Sequence, residues 1–276
     1  MHTPVLLTEV VELLGAGSGK KIIDSTFGEG GHTKALLAAG ANVLAIDRDR
    51  TQITNFKLQI SKGNLILKQG NFKDIATIAR EADFFPVDGI LFDLGLSYEQ
   101  LKTGGKGLSY KNIDEVLDMR LDDSCETTAE QILRQYTEKN LTHMFMHNAE
   151  ETLAVPLAKK ILMQRVGQEQ LTVGWLVKVV GSIAKSNPRP TLTRVFQALR
   201  VEVNNEFENL EQALRGAVSL LGLGGKIAVI SFHSLEDRIV KRFIRTNGYV
   251  QLGKKPVFGH SELRFERSAV LRVFHI

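Results

Sequence analysis

One stretch near the start of the chain constrains the fold more than any other. Residues 21–40 are KIIDSTFGEGGHTKALLAAG and residues 41–50 are ANVLAIDRDR, a pattern that predicts a strand, a glycine turn, a helix and a second strand. The turn contains Gly28, Gly30 and Gly31, which have no Cβ atom, so a ligand can approach the backbone closely. The free N–H groups at the start of the following helix also attract polar groups. We therefore predict a site for a nucleotide-like cofactor at this turn.

An acid closes the second predicted strand at Asp47. A carboxylate at this position can accept hydrogen bonds from ribose hydroxyls. The glycines do not follow the full dinucleotide-binding pattern, because Thr33 occupies the position of its third glycine. This departure disfavours a nicotinamide cofactor, although a nicotinamide-dependent oxidoreductase stays open as an alternative function.

The alternation of strand and helix continues to the end of a fourth strand. Strands predicted at 65–71 and 87–92 end beside Phe72 and Asp93. Consecutive strand and helix units predict a doubly wound, mostly parallel α/β sheet whose ligands lie beyond the carboxyl ends of the strands. A site that draws on several strand ends suits S-adenosylmethionine better than a nicotinamide. In that pocket Phe72 is expected to pack on the adenine and Asp93 to lie near the methionine moiety.

After the fourth strand the alternation stops, and helical patterns dominate for about ninety residues. Two prolines in NPRP, residues 187–190, are expected to end this helical segment. One long helix is then predicted over 192–221. We therefore predict an inserted all-α domain at 105–192, flanked by the two parts, 1–104 and 193–276, of a Rossmann-like sheet domain.

A further motif, HSLEDR, follows the fifth predicted strand, KIAVISF at 226–232. Ser234 and Asp237 have the spacing of a capping box and are expected to begin the next helix. His233 stands immediately before that helix, at a strand end, where it can touch a substrate. Helix capping explains part of this motif without any function.

The net charge of +4 conceals a basic C-terminal end. From residue 238 onward there are nine Lys or Arg side chains against two Glu. Four of these cations, Arg238, Lys241, Arg242 and Arg245, have the spacing that places them on one helix face. This concentration of charge favours a polyanionic partner, and a merely solvated helix face is the alternative.

Cysteine content and hydropathy indicate the compartment. Cys125 is the only cysteine, so an intrachain disulfide is impossible and a reducing, cytoplasmic location is expected. The apolar runs are too short for a membrane span, and no membrane association is expected. His143 and His147 have the spacing of a zinc pair but no general-base Glu in the usual place, so no metal is expected. The sequence does not indicate an oligomeric state.

Nine motifs are spread from residue 2 to residue 273, and parts of two of them, HSLEDR and FQALR, rarely occur by chance. The nine are HTPVLLTEVVELL, DSTFGEGGHT, AIDRDR, GNF, GILFDLGLSYEQL, LDMRLD, FQALRVEVNNE, GGKIAVISFHSLEDRIVKRF and RSAVLRV. With these motifs the chain resembles the bacterial small-subunit ribosomal RNA cytosine-N4 methyltransferases, the MraW-like family. It departs from the family pattern at KGLSY, residues 106–110, and at PTLTR, residues 190–194.

The resemblance implies a methyltransferase sheet, S-adenosylmethionine as cofactor, and methyl transfer to the exocyclic N4 amine of a cytidine in the decoding region. The implied partner is small-subunit ribosomal RNA or the small ribosomal subunit. The implied cofactor contacts are Gly30, Gly31, His32, Asp47, Phe72, Asp93 and Gln100. The candidates for orienting the cytidine are Asp118, Arg120 and His233. A non-enzymatic RNA-binding protein that kept the sheet is a further alternative.

Overall fold

The computed structural model describes residues 4–57, 63–95, 105–122, 125–260, 262 and 266–276. The chain forms two compact units, one of them Met1–Gly95 with Phe207–Ile276, the other Leu96–Glu206. The predicted inserted segment, 105–192, falls within the second unit, which extends beyond it on both sides.

The first unit is built on an eight-stranded sheet. Its strands are β1 (Lys21–Asp24), β2 (Asn42–Asp47), β3 (Leu65–Gln69), β4 (Val87–Asp93), β5 (Leu221–Ser231), β6 (Val250–Gln251), β7 (Val257–Phe258) and β8 (Val270–His275). The order is β3-β2-β1-β4-β5-β8-β6, with β7 paired to β8. Strands β1 to β5 are parallel, and β8 is antiparallel to its neighbours. The predicted doubly wound, mostly parallel α/β sheet is confirmed.

The helices occupy both units. In chain order they are α1 (Leu7–Leu14), α2 (Gly31–Ala38), α3 (Arg50–Lys57), α4 (Ile75–Glu81), α5 (Ala129–Gln135), α6 (Glu138–Ala149), α7 (Ala154–Gln164), α8 (Val173–Ile183), α9 (Pro188–Asn204), α10 (Glu206–Val218) and α11 (Ser234–Asn247). Within the described ranges, no helix combines the length and the apolar character needed to cross a membrane.

The central strands are apolar because helices cover both faces of a doubly wound sheet. In β2, the four residues 43–46 are fully buried, and in β4 the same holds for residues 90–92. Polar residues follow at the point where each of these strands leaves the core. The fold therefore collects side chains of several loops at one edge, the carboxyl edge of β1 to β5.

The second unit, Leu96–Glu206, has an apolar core of its own, formed by α5 to α9. Thr128, Thr137 and Thr172 each cap the helix that follows, with the side-chain oxygen accepting a backbone N–H of the first turn. Phe145 and Leu199 are among the fully buried side chains at its centre. The helical character predicted for this segment follows from these caps and from the apolar periodicity.

The single long helix predicted over 192–221 is wrong. Helix α9 starts earlier, because Asn187 caps it and Pro188 occupies the first turn, where a missing N–H costs nothing. It ends at Asn204, because the φ of 48° at Asn205 lies in the left-handed region, and α10 begins at Glu206. Three glycines that follow α10, Gly222, Gly224 and Gly225, lie within β5.

Candidate active site

The glycine turn is fastened to the end of β1 by Asp24. This carboxylate is 1% exposed and accepts the Thr33 hydroxyl at 2.6 Å and the Thr26 N–H at 3.3 Å. Its negative charge lies at the positive end of α2, which favours it there, although burial raises the pKa of Asp24. Gly30 has a φ of 76°, a conformation that favours glycine. A Cβ at Gly28 would meet no atom nearer than 4.0 Å, so that part of the turn borders open space.

Asp47 closes β2 beside the same turn. Its Oδ2 accepts the Gly28 N–H at 2.7 Å, and its Oδ1 accepts the Asp49 N–H at 2.9 Å. Burial raises the pKa of Asp47, and these two donors oppose the rise. A carboxylate has about four acceptor positions, so two remain for a ligand. Asp47 thus both orders the glycine turn and retains capacity to bind hydroxyl groups.

His32 connects the first turn of α2 to the end of β4. Its Nε2 lies 2.9 Å from the carbonyl oxygen of Val5, which can only accept, so Nε2 carries a hydrogen. Its Nδ1 faces Oδ2 of Asp93 at 3.7 Å. Asp93 is also held by its neighbours, because its N–H donates to Thr26 Oγ1 at 2.7 Å and its Oδ1 accepts the Gly95 N–H at 3.4 Å.

Acidic groups surround Asp93. Burial raises its pKa, the charge of His32 opposes the rise, and the nearby carboxylates Asp24 and Glu236 add to it. These groups come from four elements, β4, α2, β1 and α11. The carboxyl edge of the sheet is therefore strongly acidic, which suits a cationic ligand.

Phe72 follows β3 at the same edge and is half-buried. Its ring packs edge-on against Phe92 with 6.0 Å between centroids, while Asn71 accepts the Lys73 N–H and starts the short 3₁₀ turn Phe72–Asp74. Gln100 lies outside the described residues. The other predicted cofactor contacts all lie at the carboxyl edge of the sheet: Gly30, Gly31, His32, Asp47, Phe72 and Asp93.

The capping box predicted from Ser234 and Asp237 is wrong by one residue. His233 is the N-cap of α11, and its Nδ1 accepts the Glu236 N–H at 3.4 Å. The Glu236 carboxylate in turn accepts the N–H groups of Phe232 and His233. Nε2 of His233 lies 3.0 Å from Glu236 Oε1 without forming a hydrogen bond. Both ring nitrogens thus face Glu236. Asp237 instead forms a bidentate pair with Arg272 at 2.6 and 2.9 Å.

Asp118 and Arg120 lie in the helical unit and pair with each other. Arg120 donates from Nε and Nη2 to the two carboxylate oxygens at 2.7 and 2.9 Å. Burial would raise the pKa of Asp118, but the hydrogen bonds and charge of Arg120 outweigh it and lower that pKa below its usual range. Met119 between them has a φ of 60°, a left-handed conformation that turns the two side chains toward each other.

Asn204 of α9 holds this Asp118–Arg120 turn in place. Its amide is 2% exposed, accepts the Leu121 N–H at 2.9 Å and donates to the carbonyls of Met119 at 2.9 Å and Arg200 at 2.8 Å. Sequence reasoning missed Asn204, Glu236 and, in the C-terminal segment, Glu266. The first belongs to FQALRVEVNNE and the second to HSLEDR, so membership of these two motifs was the available signal.

The basic face of α11 comprises Arg238, Lys241, Arg242 and Arg245. All four side chains are exposed, while Ile239, Val240 and Ile244 on the other face are buried against the sheet. Arg242 pairs with Glu211 of α10, which also lies 3.9 Å from Arg215. The predicted placement of the four cations on one exposed helix face is confirmed.

In the part of the chain that the structure describes, no three His, Cys, Asp or Glu side chains lie together in a way that could hold a metal ion. His143 and His147 instead stack their rings with 5.3 Å between centroids.

The residues at the carboxyl edge fit S-adenosylmethionine. Gly28 leaves open space beside the backbone, Asp47 retains acceptor positions for ribose hydroxyls, and Phe72 offers a half-buried aromatic ring. The acidic surroundings of Asp93 suit the positive charges of the methionine part.

Comparison with known proteins places this site in a family. The profile described as the MraW methylase family matches residues 1–258. A relative from Thermomicrobium roseum, named ribosomal RNA small subunit methyltransferase H, is 41% identical over 251 residues, covering 88% of this chain and 77% of its own length. A relative of the same name from Dictyoglomus thermophilum is 37% identical over 284 residues, covering 99% of this chain and 96% of its own.

These matches set the nicotinamide-dependent alternative aside and confirm both the predicted methyltransferase and its cofactor. Since the family profile spans nearly the whole chain and the sheet edge fits the methyl donor, this protein belongs to the MraW methylase family of S-adenosylmethionine-dependent methyltransferases.

Proposed function

We propose that the protein transfers a methyl group to the exocyclic N4 amine of a cytidine in the decoding region of small-subunit ribosomal RNA. Membership of the MraW methylase family is the observation that carries this proposal. The relatives named ribosomal RNA small subunit methyltransferase H support the substrate class. The choice of the N4 amine rests on the resemblance of the nine motifs to the cytosine-N4 enzymes.

S-adenosylmethionine supplies an electrophilic methyl group on a sulfonium, and the chain's own residues hold it in place. In this proposal Asp47 binds the ribose, Phe72 packs on the adenine, and Asp93 with His32 faces the methionine part. Gly30 and Gly31 contribute backbone groups to the cofactor site, and Gln100 belongs to the same set by its motif. Their positions along the carboxyl edge of four neighbouring parallel strands support this assignment.

The amine of cytosine is a poor nucleophile, because its lone pair is delocalised into the ring. A site for it must accept the amine hydrogens and hold the nitrogen in line with the methyl carbon and the sulfur. We assign Asp118 and Arg120 to orienting the cytidine. The low pKa of Asp118 supports this role, because an ionised carboxylate is available as an acceptor at neutral pH.

His233 is assigned to orienting the base rather than to accepting its proton. Its Nδ1 already accepts the Glu236 N–H, and its Nε2 faces the Glu236 carboxylate. The ring also contacts Phe207 with 5.9 Å between centroids. With both nitrogens directed at Glu236, the imidazole can still present its ring face or edge to a base.

The helical unit and the basic face of α11 are proposed as the RNA-binding parts. The exposed cations Lys241 and Arg245 can contact phosphates directly, whereas Arg242 is already paired with Glu211. The predicted segment 105–192 carries the Asp118–Arg120 turn and is proposed as the substrate-recognition part.

The test is to incubate small ribosomal subunits, and separately free small-subunit RNA, with a labelled methyl donor and the enzyme. Both substrates must come from cells that lack this modification. Mass spectrometry of the nucleosides identifies the methylated atom, and mass spectrometry of ribonuclease fragments of the RNA locates the base. We expect N4-methylcytidine at one decoding-region position; at a limiting concentration of the methyl donor its yield should fall strongly with Asp47→Ala and stay unchanged with Asp88→Ala. A methyl group on another atom or in another region of the RNA would contradict the proposal.

A further inference from the structure

An N-terminal strap, Pro4–Leu6, lies against the first turn of α2. The contact with Gly31 is so close that a Cβ added there would sit 2.2 Å from Cγ of Pro4. The carbonyl oxygen of Val5 accepts the Nε2 hydrogen of His32 at 2.9 Å. The strap thus touches two of the residues assigned to the cofactor, one through packing and one through a hydrogen bond.

The strap is held in an unusual backbone conformation. Leu6 has φ 50° and ψ 40°, in the left-handed region, although it carries a branched side chain that is 1% exposed. Residues with a Cβ remain in this region only where their surroundings hold them. The N–H of Leu6 donates to Oε1 of Glu266 at 3.1 Å, a contact between residues 260 positions apart in the chain.

Glu266 is itself buried and well satisfied. Its residue is 3% exposed, and its Oε2 accepts the His260 N–H at 3.1 Å and lies 2.6 Å from Nδ1 of His260. Burial would raise the pKa of Glu266, but the hydrogen bonds from His260 and Leu6 outweigh it and lower that pKa. On its outer side His260 faces Glu9 at 3.6 Å. The carboxylate is therefore ionised and positioned at neutral pH.

We propose that Glu266 is a positioning residue of the cofactor site. Its contacts form one connected path: Glu266 to the Leu6 N–H, the neighbouring Val5 carbonyl to His32 Nε2, and His32 Nδ1 to Asp93. Glu266 holds the strap over the glycine turn, and the strap holds the imidazole toward Asp93. The inference rests on the cofactor site proposed above and adds to it a residue far away in sequence.

Loss of the Glu266 carboxylate should release the strap rather than unfold the sheet. His32 would then lose the acceptor of its Nε2 hydrogen, and its ring would be free to turn away from Asp93. Apparent affinity falls in proportion to the fraction of molecules in the binding-competent arrangement. We expect Glu266→Ala to raise the Kd for S-adenosylhomocysteine about tenfold, and Glu266→Gln about threefold, since an amide oxygen can still accept the Leu6 N–H.

The experiment is a calorimetric titration of the 276-residue chain with S-adenosylhomocysteine, combined with amide hydrogen exchange of the segment that contains Leu6. Glu266→Ala should accelerate exchange in that segment and weaken binding together. The matched control is Glu9→Gln, which faces the same His260 but does not touch the strap. That variant should leave both the exchange and the Kd unchanged.

A second pair of variants tests the strap without altering Glu266. Gly31→Ala introduces a Cβ that collides with Pro4, so it should weaken binding. Adding Pro4→Ala removes the colliding Cγ and leaves the nearest contact at 3.2 Å, so the double variant should recover most of the affinity. An unrescued loss would mean that Gly31 acts on the ligand directly, and it would overturn the role of the strap.

The outcomes separate this inference from the proposed site. If the parent protein binds S-adenosylhomocysteine, Asp47→Ala weakens it, and Glu266→Ala exchanges faster at Leu6 with an unchanged Kd, only the inference is overturned. If the parent protein does not bind, or if Asp47→Ala binds as the parent does, the proposed cofactor site fails and the inference fails with it.

Discussion

Replacing Asp47 by Ala removes the carboxylate that orders the glycine turn and is assigned to the ribose. Within the protein, the substitution removes two hydrogen bonds, those that Asp47 accepts from the N–H groups of Gly28 and Asp49. The substitution also removes the acceptor positions that are left for ribose hydroxyls. Affinity should therefore fall through a missing contact and through a less ordered turn.

The magnitude follows from the charge of the acceptor. A hydrogen bond to a charged group contributes about 1.5–3 kcal/mol, so loss of one ribose contact weakens binding by roughly 10- to 150-fold. Because Asp47 is only half-buried, we expect the two internal bonds to cost stability at the low end of that range, about 3 kcal/mol together. Asp47→Asn should fall between Ala and the parent, since one amide oxygen replaces two acceptors.

The assay pairs calorimetric titration with S-adenosylhomocysteine and urea unfolding of the same preparations. The matched control is Asp88→Ala at the opposite, amino-terminal end of β4, where the carboxylate also accepts a backbone N–H, from Lys21 at 2.9 Å, and the Lys20 ammonium at 2.8 Å. That variant should lose stability but keep its affinity. Equal affinities in the two variants would refute the assignment of Asp47 to the cofactor.

Three other predictions concern the helical unit and the basic face of α11. Asn204→Ala should cost about 2–4 kcal/mol in urea unfolding, because it leaves buried backbone groups without partners, and should raise KM for RNA more than Kd for the cofactor. Lys241→Gln with Arg245→Gln should flatten the slope of log affinity for single-stranded RNA against log salt by roughly 1.4, whereas Glu211→Gln, which frees its arginine partner, should steepen it. Because the pKa of Asp118 is lowered on folding, its stabilising contribution is complete above the ordinary pKa of about 3.9 and is lost as pH falls through the lower folded value. Asp118→Asn should remove that acid dependence from the unfolding curve, and an unchanged curve would contradict the ion pair.

Periodicity and glycine placement were sufficient to predict most of the sheet. The strands ending at Asp24, Asp47 and Asp93 are short apolar runs closed by an acid, and in a parallel sheet such ends meet at one edge. That is why the sequence could predict which of these side chains meet at one edge of the sheet, while their contacts with the cofactor are a proposal. The same reasoning failed around residues 187–221, where Pro188 begins a helix instead of ending one and the left-handed Asn205 divides the predicted long helix.

Contacts between residues far apart in the chain had no local signal. Glu266 reaches Leu6 across 260 residues, and Asn204 reaches Leu121 across 83. The pairing of His233 with Glu236 is by contrast local, three residues apart, and it was missed because Ser, Thr, Asp and Asn are the usual N-cap residues. A pattern of residue types records which groups are polar, while their partners are decided when distant segments pack together.

The sequence by itself determined the parallel sheet, the glycine turn and the acids at the strand ends, because each depends on local backbone preferences and on alternating burial. The tertiary structure decided which hydrogen-bond donors those acids accept, which histidine nitrogen faces which carboxylate, and how the N-terminal strap is held. These features depend on desolvation and on hydrogen-bond partners from remote segments. Side chains lose water and meet those partners only when the chain folds.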